Sequence, residues 1–482
     1  MNPLDRVVSF FSAEAGLIRA KARAGIKVLM NYDAASKGRR TQGWKSPASS
    51  ADGAGYGHRI HVRQLARDMV RNRPLAARAR EVIVGAVVGT GIMPSVHAPG
   101  TTVAVKDRIT AIVARHLLST DIDALRENTL PMLQEIAMSA VVSDGEILVR
   151  RRIRDPRLEA GLALPFQIEL MEADYLNTNI TANGENMVVE GVEYGPTGAV
   201  EAYHLWSQHP GAVIRTTAFA LKSTRVAAQD IIHVRRTDRP GQTRGVSWFA
   251  PVMMTMGEIS DYQEAQILKQ RMAALLAGVV IPDENAADVN LKEIEDLAPG
   301  ALVKLPAGNK VEWTNPPKVD NYKEFMAEAM GMVAMGLGIT RESLSGDLSG
   351  VNFSSARMGH MVMDRNVERW QQNVMIEQFC SGVERWLLDA WALMSGLPKV
   401  EFTLDWTAPR RPLIDPTREI PASIDAVDAG LTSMQRTQRQ MGYDPEIIRR
   451  ERVQDLEMDA AAGLSPRVPA AKPPQISVTQ TN

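Results

Sequence analysis

Two long helical patterns in this sequence are followed by a stretch whose composition is that of a turn. Met256 to Ala277 holds no proline and one early glycine, so a helix over it would span roughly 33 Å. A second pattern runs from Asn321 to Leu337, where apolar residues recur at helical spacing. Ser345 to Gly359, SGDLSGVNFSSARMG, then holds three glycines and four serines. Helical spacing returns from Ala356 to about Ser395, so the sequence predicts a loop between long helices.

The global properties of the chain limit its class. A length of 482 residues predicts about two to four lobes rather than one simple core. Cys380 is the only cysteine, which excludes an intrachain disulfide and a CxxC metal site and indicates a reducing compartment. A net charge of -1 argues against a protein that binds nucleic acid over its whole surface. The sequence has no clear signal peptide and no run near the about 18 to 20 apolar residues that cross a bilayer, so we expect a soluble, intracellular protein.

The first hundred residues combine a polar arm with an arginine-rich helical pair. Residues 31–58 are rich in Gly, Ser and Ala and predict an extended arm. Two helices are predicted after it, and Asn72 is expected to cap the second, with Pro74 near its first turn. Arginines occur throughout the pair: Arg63, Arg67, Arg71, Arg73, Arg78 and Arg80. They could form a nucleic-acid-binding face, but a solvated face paired with acidic residues of a neighbouring chain is the favoured interpretation.

The period of the sequence changes between Glu146 and Asp238. EILVRRRI, PFQIELMEADYL, NMVVEGVEY, AVEAYHLW and DIIHVRRT are rich in β-branched and aromatic residues. A Gly-Pro-Thr-Gly turn lies between two of them. This region therefore predicts an antiparallel α+β lobe.

Motifs of catalytic and phosphate-binding sites are absent from the sequence. There is no GxxxxGK[ST], HExxH or GxSxG, and the glycines from Gly89 to Gly91 lack the third glycine of a dinucleotide loop. His58 and His61 stand three residues apart, but no cysteine and no acid closer than Asp52 supports a metal site. We therefore predict no catalytic residue, no metal, no cofactor and no enzymatic activity.

Two other groups of residues allow a functional and a structural interpretation. Asp144 and Glu146 flank Gly145 and could be paired carboxylates, but a hairpin turn with charged flanks is favoured. The three tryptophans of the last long helical segment could stack on bases, but core positions are favoured. They are Trp370, Trp386 and Trp391.

The order of several motifs resembles that of the lambda-type bacteriophage portal family. The similarity extends from about Asn31 to about Leu464, and GDLSGVNFSSAR is the most specific motif. The other motifs are NYDAASKGRRTQGW, RNRPLAARAREVIVGAVVGTGI, RGVSWFAPVMMTMGEISDYQEAQILKQRMAALLAG, EWTNPP, GLGITRESLSG and GYDPE.

This resemblance implies an α+β portal fold with an α+β wing, long stem helices, a small clip, a channel loop and a helical crown. The implied boundaries are an N-terminal arm at 1–60, the wing at 61–255, the first stem helix at 256–277, the clip at 278–320, the second stem helix at 321–344, the channel loop at 345–357, a long helix with a wing strand at 358–414, the crown at 415–463 and a disordered tail at 464–482.

The resemblance also implies a function and partners. Family members form a ring of identical subunits, usually a dodecamer, at one vertex of the phage head. Double-stranded DNA passes through its channel without sequence preference. The terminase large subunit, head-completion proteins, tail proteins and the major capsid protein are the implied protein partners. The implied location is the portal vertex of the virion, after assembly in the host cytoplasm, and no membrane is involved.

Two sets of site residues follow from the resemblance. The channel loop would face DNA with flexible, mixed-charge residues, and the clip would bind the motor or the head-completion protein. The channel-loop set is Asp347, Ser349, Asn352, Ser354, Ser355 and Arg357. The clip set is Lys304, Asn309, Lys310, Glu312 and Trp313.

Two other classes of protein stay open at this stage. A head–tail connector or scaffold ring that does not conduct DNA would share many of these features. A DNA-processing enzyme would need acidic metal ligands at a defined spacing, and the sequence offers none.

Overall fold

A computed structural model describes residues 43, 47–155, 161–212, 222–275, 279–282, 309–312, 322–349, 353–410, 413 and 415–464. The chain divides into two units between Ala54 and Gly55. In the first unit, the described backbone enters a short helix in which Gly53 N donates to Ser50 Oγ over 3.0 Å. Apart from the short helix Ala51–Gly55, all that follows concerns the second unit, which begins at Gly55.

The regular elements of the described residues mix helices and antiparallel strands. The helices are α1 (Ala51–Gly55), α2 (Arg59–Asn72), α3 (Pro74–Val87), α4 (Val103–Leu117), α5 (Leu130–Asp144), α6 (Met253–Leu275), α7 (Tyr322–Leu337), α8 (Arg341–Ser345), α9 (Phe353–Trp370), α10 (Ser381–Leu393), α11 (Pro416–Asp428), α12 (Met434–Gln440) and α13 (Pro445–Ala461). A π-helix, Gln371–Cys380, joins α9 to α10, and 3₁₀ turns occupy Thr120–Ile122, Ala173–Tyr175 and Ala228–Asp230.

The strands are β1 (Met93–His97), β2 (Glu146–Ile153), β3 (Phe166–Glu172), β4 (Ala182–Asn183), β5 (Asn186–Val189), β6 (Val192–Tyr194), β7 (Val200–Trp206), β8 (Ser223–Ala227), β9 (Ile231–Arg235), β10 (Val279–Pro282), β11 (Asn309–Glu312) and β12 (Thr403–Thr407). They form sheets with the orders β3-β2-β9, β4-β5-β6-β7-β8, β1-β12 and β10-β11. Every pair in these sheets is antiparallel, as the α+β prediction requires.

The three-stranded sheet β3-β2-β9 separates two apolar clusters. Along β2, Ile147 and Val149 point into the main helical core, and Leu148 points to the opposite face. This alternation is that of a strand buried on both faces. Leu148 faces a smaller cluster that contains Val192 and Leu205 of the five-stranded sheet. Helices, the three-stranded sheet and the five-stranded sheet therefore form successive layers.

One continuous helical segment runs from Phe353 to Leu393 and includes the π-helix. Its tryptophans are buried, as predicted: Trp370, Trp386 and Trp391. Within the π-helix, Gln371 Nε2 donates to Val87 O over 3.1 Å and to Pro409 O over 3.0 Å. These bonds attach the segment to α3 and to the irregular residues that follow β12.

Helices α6 and α7 form an antiparallel hairpin. Tyr262 of α6 contacts Tyr322 and Phe325 near the start of α7, with ring centroids 5.8 and 4.7 Å apart. At the other end, a Cβ on Gly336 would collide with the side chain of Val252, so only glycine permits this close approach. Strands β10 and β11, which lie between the two helices in sequence, pair with each other.

The boundaries of these helices differ from the prediction. The first helix begins at Met253 rather than Met256. The second, expected to continue to residue 344, ends at Leu337, and α8 is a separate helix. Gly338 adopts a φ of +74° at this break, and such a left-handed residue terminates a helix.

Candidate functional site

The region around the predicted channel loop has a rigid base. Gly338 follows α7, and its carbonyl accepts a 3.0 Å hydrogen bond from Asn366 Nδ2 of α9. A Cβ at Gly338 would lie 3.0 Å from the same nitrogen. Trp370 is the next close neighbour, at 3.5 Å from that position, and its ring packs on Trp248 with centroids 4.9 Å apart. Helices α7 and α9, which flank the loop, are therefore in direct contact at the C-terminal end of α7.

Helix α8 is a capped turn that brings the chain to the loop. Thr340 caps it by accepting a 3.1 Å hydrogen bond from Ser343 N. Leu344 is buried beneath it, and Arg78 Nε of α3 donates to Ser343 O over 3.2 Å. Gly346, with a φ of +71°, ends the helix. The loop therefore begins after Gly346, and these contacts hold the chain before it in place.

The predicted channel-loop residues fall into three groups. Asp347 and Ser349 lie in the loop, where Ser349 N donates to Asp347 Oδ1 over 2.9 Å. This hydrogen bonding by Ser349 lowers the pKa of the Asp347 carboxyl. Asn352 lies outside the described residues.

The remaining channel-loop residues are helical, which corrects the expected loop boundary. Because α9 begins at Phe353, Ser354, Ser355 and Arg357 lie in its first turns rather than in a loop that reaches 357. Serine is well tolerated near the start of a helix, where it can satisfy free backbone N–H groups. Arg357 is exposed, so its guanidinium is available to a partner outside the chain.

Large apolar side chains are exposed on both sides of this junction. They are Met332 and Met335 of α7, Leu348 of the loop, and Met358, Met361 and Val362 of α9. Met335 is 80% exposed and Leu348 67%. A single exposed methionine is ordinary, but a group of this size marks a surface that contacts another molecule.

The predicted clip residues are described in part. Asn309, Lys310 and Glu312 belong to β11, where their backbones pair with Pro282, Ile281 and Val279 of β10 respectively. Lys304 and Trp313 lie outside the described residues.

Three arginines of α2 do not form the surface that the sequence suggested, whereas Arg71 of the same helix is exposed. Arg59, Arg63 and Arg67 recur every four residues and so lie on one face of the helix. Arg59 and Arg63 are buried, and Arg67 is half-buried. The prediction of a solvated arginine face, whether for nucleic acid or for a neighbouring chain, is therefore wrong for Arg63 and Arg67.

The partners of these arginines are acidic residues of the same chain. Arg59 pairs with Glu190. Arg63 lies between Glu146 and Asp174, 3.8 and 3.7 Å away. Arg67 Nε donates to Asp144 Oδ1 over 2.9 Å, and its Nη2 to Asp174 Oδ2 over 2.7 Å. These three residues, which we call the arginine stripe, thus join α2 to elements on both sides of the three-stranded sheet.

Asp144 and Glu146 take part in this network, so the predicted hairpin at Gly145 is also wrong. Gly145, with a φ of +95°, ends α5, and Glu146 begins β2. Burial opposes the charge of Glu146, but Arg244 and His233 hold its pKa well below the usual value. His233 Nε2 lies 2.8 Å from Glu146 Oε2. Both carboxylates are structural parts of the interior.

An acidic cluster beside this network is already neutralised by an arginine. Glu172, Asp174 and His209 offer atoms close enough to one another to hold a metal ion. However, Arg67 Nη2 lies 2.7 Å from Asp174 and 3.2 Å from Glu172. The guanidinium occupies the place of a cation, so we assign no metal there.

An open groove of about 630 Å³ lies between α2, α3 and α5. Val70, Val84 and Ala140 form its apolar part, and Arg71 and Glu135 contribute charge at its rim. No histidine lines it, and the Ser143 hydroxyl donates to Ser139 O within α5 over 2.9 Å. Within the described residues, this groove offers no nucleophile with a base beside it. No helix among the described residues is long and apolar enough to span a membrane.

Comparison with known proteins identifies relatives over most of the chain. The family described as phage portal protein, lambda family, matches residues 37–371. The portal protein of Escherichia phage N15 is 23% identical over 92% of this chain and 93% of its own length. Portal protein B of Escherichia phage lambda is 22% identical over 90% of both chains. A chain from the neck of an empty GTA particle, determined with C6 symmetry, is 14% identical, covers 79% of this chain and 94% of its own, and has a TM-score of 0.48.

Proposed function

This chain belongs to the lambda family of phage portal proteins, and we propose that identical copies of it form a ring whose channel carries double-stranded DNA into and out of the phage head. In this proposal the protein is a component of the virion, at the portal vertex, after assembly in the host cytoplasm. The ring is usually a dodecamer in this family.

The observation that carries the proposal is the exposed apolar surface of the α6–α7 hairpin. Ile267 and Leu268 of α6 are 51% and 58% exposed, and Met332 and Met335 of α7 are 57% and 80% exposed. Complete burial of one such side chain stabilises a structure by about 1.5–3 kcal/mol. Neighbouring hairpins in a ring would cover these residues, and methionine adapts well to such a contact.

Light scattering with negative-stain imaging tests the ring. We expect the purified chain to form a large ring with an axial opening. Met335→Asp should shift the population towards monomers, because it introduces a charge at a contact between copies. Met187→Asp is the matched control, since Met187 is 60% exposed on β5 of the five-stranded sheet. A wild-type chain that is monomeric at micromolar concentration would overturn the proposal.

The junction between α8 and α9 is the segment that we propose to face DNA. Arg357 is exposed at the start of α9, and Asp347 and Ser349 lie in the loop before it. One arginine per subunit, repeated around a ring, offers phosphate contacts that carry no sequence information. Asp347 and the near-neutral net charge of -1 favour weak contact, which suits a conduit through which DNA must slide.

The segment between α6 and α7 is the proposed docking site for the terminase large subunit and for head-completion proteins. It connects the two stem helices in sequence, and its described strands β10 and β11 pair with each other. Replacement of residues 278–317 by a short linker should leave rings intact and abolish packaging. If packaging continues in rings that carry this replacement, the assignment is wrong.

A further inference from the structure

The first half of helix α13 attaches it to the rest of the described chain. Pro445 is the only buried residue of this helix. Glu446 pairs with Lys106 of α4, and Arg450 Nη2 lies 3.1 Å from Asp107 Oδ1. Exposed ion pairs such as these are weak and are screened by salt. They hold the beginning of the helix in place and contribute nothing to its end.

The second half of α13 is exposed on all sides. Every side chain from residue 453 to residue 461 is exposed except that of Asp459, which is half-buried. Val453 and Leu456 are 49% and 54% exposed, and they lie on one face because they stand three residues apart. Met458 is 62% exposed. Burial of an apolar face supplies most of the stability of helices in proteins, so this half of α13 has a surface that another segment can cover.

The charges of α13 are unevenly distributed along the helix. The first half holds three basic and two acidic side chains, which are Glu446, Arg449, Arg450, Glu451 and Arg452. Residues 453–464 hold no basic side chain, and Asp455, Glu457 and Asp459 are acidic. Acidic side chains near the C-terminus of a helix oppose its dipole. A basic segment that covers the second half of α13 would therefore stabilise it.

The end of α13 fixes the point from which the following chain starts. Gly463 has a φ of +71°. Its N–H donates to Ala460 O over 3.2 Å, and Leu464 N donates to Asp459 O over 2.9 Å. These two bonds form a Schellman motif, which ends the helix at a left-handed glycine and changes the direction of the chain. Residues 465–482, which we call the tail, lie outside the described residues and start directly beside the acidic half of α13.

The composition of the tail, SPRVPAAKPPQISVTQTN, complements this surface. Arg467 and Lys472 are basic, and the tail holds no acidic side chain. Four prolines favour an extended polyproline conformation, which loses little entropy when it binds. Val468, Ile476 and Val478 are apolar. The sequence predicts no packed core for the tail by itself, so an ordered conformation requires a surface to bind.

We propose that the tail folds back along the second half of α13 of the same copy, with Arg467 and Lys472 against its acidic side chains and apolar tail residues against Val453 and Leu456. Leu456 lies about 12 Å before Leu464 along the helix axis. An extended chain covers about 12 Å in four residues, which places Val468 opposite Leu456.

Direct attachment favours the tail of the same copy as the occupant. A segment joined by a short linker has an effective concentration in the millimolar range. A contact of only about millimolar affinity would then be occupied about half of the time. The acidic side chains of this surface repel phosphate, which argues against DNA. In this arrangement another protein can bind this face of α13 only after it displaces the tail.

Hydrogen exchange tests the contact. The purified full-length protein is compared with the chain truncated after Leu464, after light scattering has shown that both have the same oligomeric state. We expect the amides of residues 453–461 to exchange at least about twofold faster in the truncated chain. High salt should reduce this difference, because it screens the ion pairs.

Charge reversal tests the pairing within the full-length chain. The double variant Arg467→Glu, Lys472→Glu should lose the protection as the truncation does. Addition of Asp455→Lys and Glu457→Lys to this variant should restore it. Arg436→Glu, at an exposed position of α12, is the control and should leave exchange in α13 unchanged.

A disulfide trap identifies the copy to which the bound tail belongs. Leu456→Cys with Val468→Cys should give a disulfide within one chain under mild oxidation. The native Cys380 is buried, and burial raises the pKa of its thiol, so it does not compete. Arg436→Cys with Val468→Cys is the control pair and should form no disulfide.

Three results would overturn the proposal, and none of them depends on whether the chain forms a ring. Equal exchange of residues 453–461 in the full-length and truncated chains would show that another copy or another phage protein covers α13. Protection that survives charge reversal would exclude the pairing of Arg467 and Lys472. Disulfides between two chains instead of within one would assign the tail to a neighbouring copy.

Discussion

Arg244 binds Glu146 through two parallel contacts in the interior of the protein. Its Nη2 lies 2.7 Å from Oε1, and its Nε lies 2.9 and 3.0 Å from the two carboxylate oxygens. The Glu146 side chain is 0% exposed and that of Arg244 2%. Gly245 N donates a further hydrogen bond of 2.7 Å to Oε2. The pair joins the first residue of β2 to the segment that leads into α6.

Glu146→Gln should therefore destabilise the fold severely. It removes one charge of a buried pair and leaves Arg244 uncompensated, which typically costs about 3–5 kcal/mol. The measurement is the free energy of unfolding in denaturant at fixed protomer concentration. Glu81→Gln breaks an exposed pair with Arg80 and should cost under about 1 kcal/mol. Similar losses in the two variants would contradict this account.

Stability should fall as the pH drops from about 6.5 towards 4. Burial lowers the pKa of His116 to about 4 and also lowers the pKa of His233. The unfolded chain binds protons on these histidines from about pH 6.5 downward, and the folded chain does not. Stability is thus complete above pH 6.5 and declines below it, by up to roughly 3 kcal/mol per histidine.

Melting temperatures between pH 7.5 and 4.5 measure this effect. His116→Met should flatten the decline, because it removes a group that the unfolded state protonates. His61→Met, at an exposed position of α2, should leave the decline unchanged. A wild-type melting temperature that is constant over this range would contradict the prediction.

Gly338→Ala should weaken the base of the loop. Gly338 has a φ of +74°, and its new Cβ would lie 3.0 Å from Asn366 Nδ2. The backbone conformation alone costs roughly 1–2 kcal/mol, and disturbance of the Asn366 hydrogen bond adds about 1 kcal/mol. Gly346→Ala is the control, since Gly346 has a similar φ of +71° and no atom near its Cβ position. Equal destabilisation in both variants would show that the Asn366 contact contributes nothing.

Arg357→Ala should reduce DNA retention without loss of rings. Each contacting arginine accounts for about one released counterion, so the salt dependence of DNA binding should become shallower. Sequence preference should stay absent. Arg80→Ala, at a paired arginine of α3, is the control. If rings dissociate and packaging shows no separate defect, Arg357 instead pairs with an acid of a neighbouring chain, such as Asp364 or Glu368.

Local sequence patterns were sufficient for most strands and for the buried tryptophans, but they missed β1, β4 and β8. The strand pattern AVEAYHLW corresponds to β7, and DIIHVRRT contains β9. A period of two and β-branched residues are encoded within a few positions, so no distant contact is needed to recognise them. Trp386 occupies a position whose helical spacing marks the core side, and its Nε1 donates to Gln229 O over 2.7 Å.

The arginine stripe shows where such patterns fail. Arg59 and its partner Glu190 are 131 residues apart in sequence, so no local pattern reveals that the pair is buried. Charged residues at helical spacing are usually solvated, and the interpretation of α2 followed that tendency. A buried ion pair becomes recognisable only when the fold brings the acids of β2 and the five-stranded sheet to the same face.

The predicted boundary of the channel loop was wrong for a different reason. Serine and glycine are common both in loops and in the first turn of a helix. Ser354 and Ser355 therefore fit either state, and composition cannot separate them. The extension of the second stem helix to residue 344 came from the resemblance, whereas the apolar pattern itself ended at Leu337, where α7 ends.

The π-helix at Gln371–Cys380 has a consequence for how this family can change in length. Its hydrogen bonds span one more residue than those of an α-helix, so it holds residues that an α-helix of the same length would not accommodate. One residue can therefore be deleted there if part of the π-helix tightens to α-helical hydrogen bonding, and α9 then keeps its orientation relative to α10. Met363 and Val367, which are now buried, would stay in the core. Relatives that are one residue shorter here should thus keep the same packing of α9 and α10, whereas the same deletion within α9 would turn these two residues out of the core.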